Sequence, residues 1–506
     1  MGKKSIITGA IVLTCANLAT RFIGFFYRIY MVNAIGTEGI GLYQLIMPIY
    51  MLAWSISSSG FTTTISKLSA QEKAKGQYGN MRRILHQSAF ICMFISLFIG
   101  LILFVFANYI SSSILNEPRT LISLQILCLA FPFMSVGSCI RGYFFGIQDS
   151  VVPAFSQVLE QFVRICTVYI IGSFLIPYGI EYACAAATCG IVMGEVISFA
   201  YVFIAYKNQK RFIIKKSPAL SSIETLKMVL CMAVPLTSAR VISSMLSTIE
   251  NILIPQRLAL FNSAGDSALS VYGQLTGMAM PLIQFPTAVL VAISVTLVPA
   301  LSETQAMNRT KETNKIVEKS IKFAVILGLG FTMIFSSFPY EICEIIYSQK
   351  ELGSLLLKLC LICPFLYMQI TLNGLLNGLG SHKFIFKQNI ISSVINLFFI
   401  YFLMPKYGTN AFIIGMTLSL IITTSIGYRE IIDKSCAKIS IFKILILPIL
   451  CCLTTFIITN SITSHLTLTT TTTLLSMFLL GLLYLLLLLL TKTLSKEEIF
   501  AILPKK

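Results

Sequence analysis

A few ionisable side chains interrupt long apolar runs of this sequence: Arg21, Glu160, Arg164, Glu195 and Arg240. Where such a run crosses a membrane, a charge near the bilayer centre costs about 2.5 to 3.5 kcal/mol on insertion scales, so each needs a partner or a task. Glu160 and Arg164 are four residues apart, on one helical face, and neutralise each other. A structural ion pair is the favoured reading for them, with gating or substrate handling as the other. Arg21 and Arg240 have no such partner near in sequence and stand in similar contexts, Ala19-Thr20-Arg21 and Ser238-Ala239-Arg240. A guanidinium facing a cavity binds phosphate oxygens bidentately, so their expected work is to hold an anionic head group. The alternative is pairing with Glu195 or with backbone carbonyls. Arg28, farther along the first apolar run, either lines the same cavity or snorkels to the interface. Arg141 and Glu250 fall near the ends of apolar runs, where an interfacial role is simpler.

Other chemistries find little support. His86, His382 and His465 each fall in or beside a loop, and Cys360-x-x-Cys363 has no second pair, so no metal site is expected. The fourteen cysteines lie mostly inside apolar runs and read as small core residues, without the loop spacings of a disulfide framework. G-x-x-x-x-G-K-[ST] is absent, and no polar segment is long enough for an ATPase domain. If the chain moves a solute, the energy must then come from an ion gradient, the membrane potential or the substrate gradient. No cofactor is called for.

The elements that position these residues follow from composition. With 56% hydrophobic residues, 11% charged and a mean hydropathy of +0.84, the chain lies far from soluble usage, in which about a quarter of residues are charged. Windows of about 20 residues place about fourteen membrane helices, from 6–32 to 472–491. The net charge of +18 is explained by topology rather than by nucleic acid. If the N-terminus is cytoplasmic, the inner segments gather most of the Lys and Arg outside the helices, and the outer loops carry Arg119, Arg257, Lys350 and Lys406. Both termini are therefore expected inside. Lys3 and Lys4 before the first apolar run imitate a signal peptide, but that run is long and lacks a small-residue cleavage site, so it is expected to stay as an anchor.

A weak internal repeat appears when the chain is compared with itself. Lys67-Leu68-Ser69 through Arg82-Arg83 matches Ala300-Leu301-Ser302 through Lys315, and Arg141-Gly142-x-x-x-Gly146 matches Asn373-Gly374-x-x-x-Gly378 at nearly the same offset. Two duplicated six-helix halves of like orientation are related by an axis along the membrane normal. The expected fold is an all-α polytopic membrane protein, two six-helix bundles around a central cavity plus two C-terminal helices. The lobes are 1–205 and 228–427, joined by a basic cytoplasmic linker at 206–227, and 428–506 holds helices 13 and 14 with a cytoplasmic tail. Such paired bundles suit alternating access. Pro132, Pro235, Pro281, Pro286 and Pro364 supply kinks. The glycine pairs 142/146, 190/194, 273/277 and 374/378 allow close helix contact within one monomer.

Certain stretches resemble a known family. Thr20-Arg21-x-x-Gly24-Phe25-x-Tyr27-Arg28 is followed by Gly36-x-Glu38-Gly39-x-Gly41-Leu42-Tyr43, and then by Arg141-Gly142-Tyr143-Phe144-x-Gly146. Glu160-Gln161-x-Val163-Arg164, Tyr272-Gly273-Gln274-Leu275-x-Gly277-Met278 and Leu297-Val298-Pro299-Ala300 complete the set. Together they resemble the stage V sporulation protein B branch of the polysaccharide transporters, in the superfamily of lipid II flippases and multidrug and toxin extruders. The resemblance covers helices 1 to 12 in order. It implies a flippase for an undecaprenyl-pyrophosphate-linked peptidoglycan precursor or oligosaccharide, used in spore cortex synthesis, without covalent chemistry. It also implies that Arg21 and Arg28 line the cavity. Lipid II flippases carry a further cavity arginine in helix 8, where this chain offers Gln274 and Gln284 and no arginine; Arg240 is the candidate to take its place, and Gln274 is kept among the expected cavity residues. Helices 13 and 14 resemble the pair that forms a lipid-tail groove.

Two other readings stay open. A drug or cation antiporter of the extruder kind needs cavity carboxylates, for which Glu160 and Glu195 are available. A membrane-embedded glycosyltransferase needs an essential outer carboxylate and a sizeable outer loop, and the outer loops are short. The expected partners are a lipid-linked oligosaccharide and membrane lipid, with no nucleic acid, for a monomer in the bacterial cytoplasmic membrane.

Overall fold

Hydrocarbon offers backbone groups no hydrogen-bond partner, so an apolar chain of this kind must satisfy them within helices. The computed structural model describes residues 3–209, 220–261, 267–307, 309–435, 445–463, 469–491 and 493–494, and every regular element among them is helical. Among these residues ten helices are long and apolar enough to cross a membrane. The number is twelve if two bent pairs each form one span: Pro118–Leu127 with Ala130–Gly146 (45°), and Ala268–Gln284 with Thr287–Ser294 (57°). Both bends have a proline cause. Pro132 leaves the Cys128 carbonyl without its helical donor, and Pro286 sits in the second break itself.

The first span, Val12–Ala74, is 63 residues long, far beyond the roughly 20 that cross a bilayer. Its backbone leaves helical geometry at Gly36, with φ 70° and ψ −175°. A residue without a Cβ takes that conformation cheaply, so Gly36 divides the run into two spans. With the shorter apolar helix Leu447–Ser461, each of the fourteen expected spans has its helix.

The chain forms two compact units, Met1–Gly277 and Met278–Lys506. In the first, Val151–Leu175 packs along Ile180–Gln209, and Gly60–Ala74 packs against both Ala130–Gly146 and Ser222–Leu260. Phe61, Ile65, Ile84, Tyr143 and Val229 are buried together there. In the second, Leu301, Ile321, Leu372, Leu376 and Ile431 form the core. Its last two helices, Leu447–Thr463 and Thr470–Leu490, pack on each other and on Thr310–Ser337. Leu480, Tyr484 and Leu488 are their buried stripe, whereas Leu485, Leu486 and Leu490 are exposed, as suits a lipid-facing surface.

The division at Gly277 and the lobes expected from the repeat describe different things. Compactness follows which helices touch in this conformation, and Ser222–Leu260 touches the first unit; a repeat follows sequence ancestry. Residues 210–219 of the expected linker, and 495–506 of the expected tail, lie outside the described residues.

Candidate functional site

Two glycine-rich stretches singled out in the sequence, Gly36 to Tyr43 and Tyr272 to Gly277, meet in the first unit. The Thr37 and Ser270 hydroxyls, 233 residues apart in sequence, share a hydrogen bond of 2.7 Å. A Cβ built on Gly41 would fall 2.2 Å from the Leu269 carbonyl oxygen, and one on Gly273 would fall 2.1 Å from that of Thr37. The contact is reciprocal: each glycine meets the carbonyl oxygen four residues before the other. Only glycine at both positions lets the two backbones come this close. Gln44 Nε2 donates to the Thr276 carbonyl at 3.2 Å, and Tyr272 donates from its hydroxyl to Asn251 Oδ1, also at 3.2 Å. Gln274 sits half-buried in this stretch. Next to Thr37, Glu38 is bound by Arg119 at 3.0 Å, and Arg119 also holds Glu117 at 2.6 Å.

The first helix brings Arg28 to the same seam, where its Nη1 donates to the Gly277 carbonyl at 3.4 Å. Arg21 lies seven residues earlier, two helical turns back on the same face, and is exposed. Gly24 lies between them on that face, and a Cβ added there would meet nothing within 4 Å. Two guanidinium groups thus flank open space.

The buried charges form a second cluster. Arg164 Nη2 bonds Glu160 Oε1 at 2.8 Å, with both side chains 14% exposed. Gly190 and Gly194 let Ile180–Gln209 lie directly on this pair. A Cβ at Gly194 would stand 3.0 Å from the Glu160 carbonyl oxygen and 3.3 Å from its Cγ. Glu195, the next residue, is 4% exposed and accepts a 2.5 Å hydrogen bond from the Tyr50 hydroxyl. Burying a carboxylate at mid-helix is costly without such a donor. Arg141 faces the same interior and donates to Ser198 Oγ at 3.2 Å and Ser138 Oγ at 3.0 Å.

Arg240 stands elsewhere. It donates to the Ser59 carbonyl and, at 3.0 Å, to Thr63 Oγ1. Ser55–Ser59 is one wide helical turn in which Ser55 and Ser59 hydroxyls bond the carbonyls four residues back, and the guanidinium caps this loosened backbone. The structure therefore joins Arg28 to the glycine seam and Glu160 to Arg164, but places Arg240 with neither Arg28 nor Glu195. Tyr50, Thr37 and Ser270 escaped sequence reasoning, because a hydroxyl side chain in a membrane helix has no distinctive signature until its partner is known, and Arg119 was legible only as an outer-loop cation. Among the described residues, no group of three or more His, Cys, Asp and Glu is arranged to hold a metal.

The family described as Polysaccharide biosynthesis protein matches residues 6–305, well over half of the chain. The chain belongs to that family. The family named MatE matches residues 242–402. Stage V sporulation protein B of Bacillus subtilis (strain 168) is 30% identical over 430 residues, covering 84% of this chain and 83% of that protein. Lipid II flippase MurJ of the same organism is 24% identical, over 78% of this chain and 76% of its own length. Among solved structures, lipid II flippase MurJ in an inward closed conformation has a TM-score of 0.69 at 17% identity, covering 94% of this chain and 98% of that one. A multidrug resistance MATE family transporter, inward-facing, has a TM-score of 0.66 at 12% identity, covering 84% and 98%. The protein is thus a multi-pass membrane protein of the superfamily that holds flippases and multidrug extruders, and its fold is the one they share.

Proposed function

We propose that this protein is a flippase that moves an undecaprenyl-pyrophosphate-linked peptidoglycan precursor or related oligosaccharide across the bacterial cytoplasmic membrane, supplying spore cortex. The reading rests most on one observation: Arg21 and Arg28 share a helix face with open space at Gly24 between them. Guanidinium groups at membrane depth suit a pyrophosphate, whose oxygens they bind in pairs. The names of the relatives, a sporulation protein and a lipid II flippase, agree with that substrate class. The sugar then travels through a polar interior while the polyprenyl tail stays in lipid.

Alternating access needs contacts that form in one state and break in another. The glycine seam between Thr37–Gly41 and Leu269–Gly273 is suited to that work, since it is held by a hydroxyl pair, the Gln44–Thr276 hydrogen bond and close backbone apposition. Arg240, capping the Ser59 turn, is a second such contact, and its release would free a cation for the substrate. Gln274 then stands beside the path. Glu160 and Arg164 neutralise each other within one helix, and Glu195 ties its helix to Tyr50 of the first. With a cytoplasmic N-terminus, both ends of the chain face inward.

The test is translocation of fluorescent lipid II in proteoliposomes. Each charge-assisted contact to a phosphate contributes about 1.5 to 3 kcal/mol, so Arg21→Ala and Arg28→Ala should each slow flipping by about tenfold or more. Unaltered flipping in both variants would remove the arginine mechanism. A multidrug antiporter, the second reading, is favoured by the buried Glu195; such a protein would instead export cationic dyes and lose that export in Glu195→Gln.

A further inference from the structure

The second compact unit contains a cleft that the flippase reading does not use. It has a volume of about 360 Å³ and lies between Thr310–Ser337, Cys363–Gly378 and Thr409–Ser435, next to Leu445. That volume is in the range of small-molecule sites. Its walls are apolar, made chiefly by Ile321, Val325, Phe365, Met368 and Ile421. The Thr424 hydroxyl turns to Gln369 Oε1 at 3.2 Å. Ile421 and Leu445, 38% and 41% exposed, mark the mouth.

Arg429, one turn beyond Ser425, is the charged residue in the lining, and it is exposed. The neighbouring carboxylate of Glu430 is taken up by Lys434 at 3.0 Å, so it does not cancel Arg429. An apolar recess of this size favours hydrocarbon over water, and a cation at its rim favours an anion there.

We propose that this cleft binds an anionic membrane glycerophospholipid, with an acyl chain in the recess and the head-group phosphate on Arg429. The charge and the walls together select this occupant: a zwitterionic lipid gains the same chain burial but less from the guanidinium. The site stands whether or not the protein flips lipid II.

Native mass spectrometry of the full chain in detergent, offered equal amounts of phosphatidylglycerol and phosphatidylcholine, tests it. Phosphatidylglycerol should be retained preferentially. Arg429→Gln should cut that preference by about fivefold, the worth of one basic residue at a membrane surface, and Arg429→Lys should keep most of it. Ser425→Trp, which plugs the recess, should abolish the preferential retention with an unchanged gel-filtration profile. Ile421→Trp at the mouth provides a second plug if the first does not fold. No preference in the wild type, or an undiminished preference in a folded plugged variant, overturns the proposal. Displacement of phosphatidylglycerol by equimolar undecaprenyl phosphate overturns it too, assigning the recess to a polyprenyl tail.

Discussion

Gly273→Ala adds one carbon, and the structure specifies where it goes. The new Cβ would lie 2.1 Å from the Thr37 carbonyl oxygen and 2.8 Å from the Gly41 amide nitrogen, both backbone atoms with no side-chain freedom to yield. Ordinary carbon contacts lie near 3.5 Å, so the two helices must separate by about 1 Å. The Thr37–Ser270 and Gln44–Thr276 hydrogen bonds, at 2.7 and 3.2 Å, lengthen past usefulness when they do. Overpacking of this kind costs about 1 to 3 kcal/mol, which shifts the equilibrium between closed and open seams by about 5- to 150-fold. Cysteines at positions 37 and 270 report the result. With the fourteen native cysteines replaced by serine or alanine, oxidation of Thr37→Cys/Ser270→Cys should consume both thiols, read as lost maleimide labelling, and adding Gly273→Ala should restore labelling in most molecules. Gly24→Ala, at a position open to at least 4 Å, is the control and should change nothing. Equal disulfide yield with and without Gly273→Ala would refute the reasoning.

Other expectations concern the buried charges. Arg164→Gln leaves the Glu160 carboxyl without its partner in a site that is 14% exposed, so it should destabilise the protein by about 3 to 5 kcal/mol, whereas Glu160→Gln/Arg164→Gln should cost clearly less; thermal unfolding in detergent measures both. Tyr50→Phe removes the hydroxyl that donates to Glu195 and should cost about 1 to 3 kcal/mol. Adding Glu195→Gln to it should recover part of that loss, and strict additivity in the same assay would argue against the contact. Arg119→Ala, by contrast, removes two ion pairs of a side chain that is 38% exposed, to Glu38 at 34% and Glu117 at 17%, and should shift the unfolding midpoint by the equivalent of about 0 to 2 kcal/mol.

Much of the fold was legible because its rules are one-dimensional. Run length, hydropathy and the Lys/Arg bias act residue by residue along the chain, and fourteen helices follow from them. The Gly36 break could be anticipated from a glycine-rich stretch between two apolar runs, and the bend before Pro132 from a missing backbone donor. Glu160 and Arg164 were recognisable as a pair since the helix itself sets their distance.

The sequence alone, then, determined the number of spans, the local ion pair and the face that Arg21 shares with Arg28, all of them consequences of helical periodicity. Only the tertiary structure decided that Tyr50 would meet Glu195, that Arg240 would cap the Ser59 turn, and that Gly41 and Gly273 would bring two backbones into contact. Those pairings join residues far apart in the chain, and side-chain packing between helices, not any local preference, selects them.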